Sequence, residues 1–209
     1  METRTLEYLD RLVGFDTVSS KSNLDLVDWV ADLLAARGAR LRRTFNDEKT
    51  KTNLLASFGP EEVPGFVLSG HTDVVPVTDQ VWTTDPFRLT EKDGFLYGRG
   101  TADMKGFVAC CLAMLTGLDP ATLKRPIHLA LSYDEELGCV GVPRLVEDLV
   151  ASISLPAFAV VGEPTLMRLV TAHKGARVFE TMFTGREAHS SQSQTGVSAN
   201  VHAARFVMH

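Results

Sequence analysis

The run Ile127-His128-Leu129-Ala130-Leu131-Ser132-Tyr133 restricts the architecture more than any other segment. It is nearly continuously apolar and lacks the alternation of a strand with one wet face. It stops abruptly at Asp134-Glu135-Glu136. Such a run reads as a strand buried on both faces, and a sheet buries both faces only beneath helices. Two other runs behave alike. Phe66-Val67-Leu68-Ser69 feeds into Gly70-His71-Thr72-Asp73, and Ala157 to Val161 feeds into Gly162-Glu163-Pro164. Three apolar strands thus end in His71, in Glu135 and Glu136, and in Glu163. In open α/β sheets, sites form beyond the carboxyl ends of strands. These side chains are therefore expected to converge in an α/β fold.

Helices are predicted over 4–14, 24–37, roughly 140–151 and 197–208, with strands at about 40–44 and 53–58. Asp93-Gly94 signals a hairpin. Met104, Phe107, Val108, Cys111, Leu112 and Leu115 lie at helical spacing and predict the clearest amphipathic helix of the chain, with Asp103 at its start. Cys110 and Cys111 fall inside that run and are expected in the core. The stretch Gly98 to Gly106 begins like a dinucleotide loop. Asp103 stands where the third glycine of that fingerprint belongs, so a nucleotide cradle is rejected. After Glu163 the texture changes. Residues 168–173 and 176–184 read as alternating strands, and Gly185 to Gly196 as a polar loop.

Composition narrows the function. The net charge of -5 over 209 residues gives no basic face for a nucleic acid. No apolar run approaches the roughly 20 residues that span a bilayer. Met1-Glu2-Thr3-Arg4 lacks the basic-then-apolar order of a secretory signal. With 3 cysteines, an odd number, reduced thiols and a cytoplasmic location are expected.

The strand-end residues, together with Asp103 at the helix start, carry the chemistry. His71, Asp103, Glu136 and Glu163 offer imidazole and carboxylate donors, a set that suits zinc, cobalt or manganese. The excess of carboxylates suits two ions with one carboxylate bridging them, able to polarise an acyl carbonyl. Asp73 lies two residues beyond His71, on the same face of an extended chain, where a carboxylate can fix the ring. Of the adjacent Glu135 and Glu136, one can ligate while the other moves protons. His189, in Ala188-His189-Ser190-Ser191, is a candidate donor to a developing oxyanion.

Five motifs taken together, Ser69 to Pro76, Gly98 to Gly106, Asp134 to Gly138, Gly162 to Thr165 and Ala188 to Ser191, resemble the di-zinc M20 amidohydrolase/peptidase family. The resemblance implies a zinc-peptidase-like mixed sheet flanked by helices. The catalytic domain would occupy 1–175, and a smaller α+β lid or dimerisation domain would begin over 176–209. It implies two Zn2+, with His71 and Glu163 on one ion, Glu136 on the other and Asp103 bridging. Asp73 would orient His71, Glu135 would be the general base, and His189 would polarise the scissile carbonyl, in related enzymes from the partner subunit of a homodimer. A cis peptide is implied at Asp103-Met104. Trp82 to Phe87, Gly100 to Gly106 and Ala172-His173-Lys174-Gly175 resemble the members that act on a small-molecule substrate, N2-acetyl-L-ornithine. Those members release ornithine and acetate in arginine biosynthesis. Succinyl-diaminopimelate and dipeptides are the alternative substrates. The family's last metal ligand, a histidine, lies farther downstream than His209. A fragment of a longer protein, catalytically silent by itself, is therefore the third expectation.

Overall fold

A computed structural model of the chain describes residues 3–172, 174–175 and 177–208. It forms two compact units, Met1–Arg168 and Leu169–His209.

The first unit begins with two helices, α1 (Thr3–Val13) and α2 (Leu24–Ala35). Strands β1 (Arg40–Phe45), β2 (Thr52–Phe58) and β3 (Phe66–His71) follow. A small hairpin, β4 (Thr90–Lys92) and β5 (Phe95–Tyr97), turns at Asp93 and Gly94, whose φ angles of 54° and 78° match a primed two-residue turn. Helix α3 (Gly106–Gly117), strand β6 (Ile127–Ser132), helix α4 (Val142–Ser152) and strand β7 (Phe158–Val161) complete the unit.

Five strands make one mixed sheet in the order β1-β2-β6-β3-β7. β2 runs antiparallel to both β1 and β6, whereas β6, β3 and β7 are parallel. β2 and β6 are buried along their whole length, as the apolar run at 127–133 requires. Their residues alternate between two cores. Leu54, Ala56, Phe58, Ile127, Leu129 and Leu131 pack with α1, α2 and α3. Leu55 and Ala130 pack with Val67 and with Leu145 of α4. The sheet is thus covered by helices on both faces, and this fixes where the parallel strands end. His71 pairs with Ser132, and Ser69 with Val161, so the carboxyl ends of β6, β3 and β7 share one rim.

Four expectations need correction. α3 is not a one-sided amphipathic helix. Ala109 and Ala113 are buried along with Val108, Cys111, Leu112 and Leu115, because sheet and helices enclose it broadly. Cys110 is exposed, while Cys111 is buried. β7 is a strand, but it is not buried. It lies at the sheet edge with Phe158 56% and Val161 60% exposed. The described residues within 168–184 form no strand. Ala176 and the His173 of Ala172-His173-Lys174-Gly175 lie outside the described residues, as does His209.

The second unit holds a bridge between Arg186 and Val197, a short turn of 3-10 helix (Ser190–Thr195) and helix α5 (Ala199–Val207). The Ser198 hydroxyl caps α5 by accepting from the Val201 N–H at 3.3 Å. No helix among the described residues is long and apolar enough to cross a membrane.

Candidate metal centre

The rim of the parallel strands assembles the predicted carboxylates around one imidazole. His71 is the last residue of β3 and is 1% exposed. Its Nδ1 lies 2.9 Å from the Asp73 carbonyl oxygen and 3.5 Å from Asp73 Oδ1. That contact turns Nε2 outward, 3.1 Å from Asp103 Oδ1 and 3.9 Å from Glu135 Oε2. Asp73 thus lies beside the ring, with its main-chain carbonyl as the nearer partner and its carboxylate, the group the i, i+2 spacing singled out, farther off.

Asp103 arrives from a different direction. It sits in a tight turn, Thr101–Lys105, ahead of α3 rather than in the helix itself, and its peptide bond to Met104 is cis. The turn follows Gly100, whose φ of +81° suits glycine, and a Cβ there would meet Val74 Cγ1 at 2.8 Å. Buried Lys105 closes the turn from below. Its Nζ donates to the Phe15 carbonyl at 2.8 Å, and burial lowers its pKa to about 7 against the pull of Asp16 and Asp73. Glu163 comes from the loop after β7. Gly162 brings that loop against α3, for a Cβ on Gly162 would overlap the Phe107 ring at 2.1 Å.

Two groups of side chains lie close enough to hold an ion, each with its donor atoms within 4.8 Å. One is His71, Glu135 and Glu163, and the other is His71, Asp103 and Glu136. The shared residue is His71, whereas the resemblance gave the shared place to Asp103. Glu135 stands as near to an ion position as the residues named as ligands. The electrostatics match a place for a cation. Burial and then the neighbouring Asp103 raise the pKa of Glu136. Burial, with Asp103 and Glu135 adding to it, raises that of Glu163 despite the opposing pull of His71. Burial opposes the His71 imidazolium, yet Asp73 and Asp103 outweigh it and lift its pKa to about 9. Carboxylates crowded this way repel one another, and a divalent ion relieves the repulsion. The donor set fits zinc, cobalt or manganese. A cleft of about 240 Å³ opens beside it, lined by Arg99, Thr101, Asp103 and Glu136 among others.

His189 belongs to the second unit. Its Nδ1 lies 2.8 Å from the Ser191 hydroxyl and accepts from the Ser191 N–H at 3.2 Å. Sequence reasoning missed the residues that support the centre from behind. Asp73 accepts from the Ser19 hydroxyl at 2.7 Å and from the Glu135 and Glu136 N–H groups at 3.0 and 3.2 Å. These partners are far apart in sequence, and no local pattern marks Ser19.

Comparison with known proteins places this geometry in context. Residues 67–205 match Peptidase family M20/M25/M40. The chain is 37% identical over 201 residues to the acetylornithine deacetylase of Pasteurella multocida (strain Pm70), covering 93% of this chain and 52% of that protein. It is 41% identical over 204 residues to the acetylornithine deacetylase of Myxococcus xanthus, covering 95% of this chain and 52% of the relative. The chain spans about half the length of the curated relatives it matches. Among solved structures it resembles human carnosine dipeptidase 1, with a TM-score of 0.64, 27% identity, and 75% of this chain and 38% of the other covered. A tripeptidase from Staphylococcus aureus shares the fold, with a TM-score of 0.68 at 20% identity, over 100% of this chain and 56% of the other.

Proposed function

Because the chain belongs to Peptidase family M20/M25/M40, we propose that it carries most of the catalytic centre of a metal-dependent amidohydrolase that cleaves N2-acetyl-L-ornithine to ornithine and acetate. The observation that carries this reading is the gathering of Asp103, Glu135, Glu136 and Glu163 around the outward Nε2 of one buried histidine. The choice of an acetyl amide is supported by the relatives at 37% and 41% identity, both acetylornithine deacetylases.

His71, Asp103, Glu136 and Glu163 would hold the metal, as two Zn2+ or with Co2+ or Mn2+ in their place. Bound there, a divalent ion polarises the acyl carbonyl and makes water a better nucleophile. The chain's own residues do the rest. Asp73 keeps His71 Nε2 facing the site. Glu135 takes the proton from the attacking water and delivers it to the leaving nitrogen. His189, from the start of a lid domain, donates to the oxyanion, and the complete protein is a cytoplasmic homodimer through that domain. Dipeptide hydrolysis is the second reading, favoured by the likeness to human carnosine dipeptidase 1.

A panel of acetylornithine, succinyl-diaminopimelate and dipeptides, assayed with the metal-loaded chain, separates these readings. Preference for acetylornithine supports the proposal, and preference for a dipeptide replaces it. Full metal content without turnover on any of them makes this chain a metal-binding fragment. Glu135→Gln is expected to keep its metal content by elemental analysis and to lose at least about 100-fold in turnover. Near-native turnover would remove Glu135 from the role of base.

A further inference from the structure

Behind the candidate centre, four distant segments close a ring of polar contacts. Ser19 is 5% exposed, and its hydroxyl donates to Asp73 Oδ2 at 2.7 Å. Asp73 Oδ1 accepts from the Glu135 N–H at 3.0 Å, and Oδ2 from the Glu136 N–H at 3.2 Å. The same turn begins at Asp134, whose carboxylate pairs with Lys51 Nζ. Lys51 Nζ also donates to the Ser19 carbonyl, which closes the ring. Both side chains of that ion pair are largely buried, 13% and 12% exposed. Asp134 itself has a φ of 54°, a conformation that an ordinary residue keeps only when its surroundings hold it.

We propose that Ser19 and Lys51 are positioning residues for the metal centre: they set where Asp73 and the Asp134-Glu135-Glu136 turn stand, and through them the directions of His71, Glu135 and Glu136. The inference rests on the metal-binding reading of this site. Its physical basis is the number of donors that the buried Asp73 carboxylate needs. Without the Ser19 hydroxyl, a buried carboxylate loses one donor and is free to turn toward His71 or away from the Glu136 N–H. Without Lys51, Asp134 becomes an unpaired, mostly buried charge directly beside Glu135 and Glu136. Neither residue offers its own atoms to the ion.

The test uses Co2+ alone as the probe, titrated into the metal-free full chain. Affinity is read by calorimetry and coordination by the visible absorption band. Ser19→Ala and Lys51→Met are each expected to weaken Co2+ binding by about 10- to 100-fold and to alter the band. Circular dichroism confirms that each variant is folded. The double variant is expected to lose little more than the worse single one, since both act through one ring. A merely structural role would lower the thermal midpoint and leave the band and affinity unchanged. That result in either folded variant overturns the inference. If Ser19→Ala does not fold, Lys51→Met and Lys51→Arg decide it: arginine should restore much of the affinity that methionine loses. A wild-type chain that binds no Co2+ overturns the metal reading itself, and this inference with it.

Discussion

His128 shows how one side chain can tune the stability of a sheet it has no business charging. It lies inside β6, 2% exposed, with Nδ1 2.8 Å from the Ser57 hydroxyl. Its Nε2 is buried with no hydrogen-bond partner among the described residues. Burial, and then the charge of Arg40, hold its pKa below the usual histidine value. The unfolded chain thus binds this proton more readily than the folded one. The contribution to stability is whole above about pH 6.5 and is lost as pH falls from there through the folded value. Urea unfolding at pH 7.5 and pH 5.5 should show a falling midpoint in the wild type and a smaller fall in His128→Gln. Equal falls in the two proteins would exclude His128 as the source. At this scale His71, Glu136 and Glu163 stood out in the sequence because each follows the end of an apolar run, whereas Asp103 was marked only by its place ahead of a helix. Ser19 and Lys51 were not marked. Their partners Asp73 and Asp134 stand 54 and 83 positions away, and no local spacing records such a contact.

Single elements follow the sequence wherever their surroundings complete the pattern. β6 is read correctly because its burial on both faces leaves a mark in every residue. β7 carries the same kind of residues, but among the described residues only one edge of it is paired, to β3, and its side chains face solvent. Hydrophobicity gives a strand's preference and not the neighbour that satisfies it. α3 errs the other way, since its apolar spacing left out Ala109 and Ala113, which are also buried, while the apolar Cys110 and Met114 lie on its exposed stripe. An open edge with Phe158, Val160 and Val161 exposed is a template for another strand. The isolated chain is therefore expected to associate as its concentration rises, seen by light scattering. Val160→Lys, a charge on that edge, should reduce the association without changing the thermal midpoint by more than a few degrees. Unchanged scattering would place the association elsewhere.

For the whole molecule, the sheet order β1-β2-β6-β3-β7 is the part that sequence patterns could not supply, because strand neighbours are set by packing rather than by succession. That order has a consequence in time. The candidate donors meet only after 66–71 has paired with both 127–132 and 158–161, and after the turn at 101–105 has docked. Closing such long stretches of chain precedes any reward from the contacts they bring. The centre is then completed late, and an ion that binds only the finished arrangement stabilises the whole first unit. At a free Co2+ concentration of 100 times the dissociation constant, the gain is about 2.7 kcal/mol, read as a higher unfolding midpoint. In refolding by stopped flow, the Co2+ band should appear with the slowest phase of sheet formation. Its appearance before the sheet would mean that a partial cluster suffices. The rim of three strands thus works as an inspector of assembly: a chain whose strands pair in the wrong order has nowhere to keep its metal.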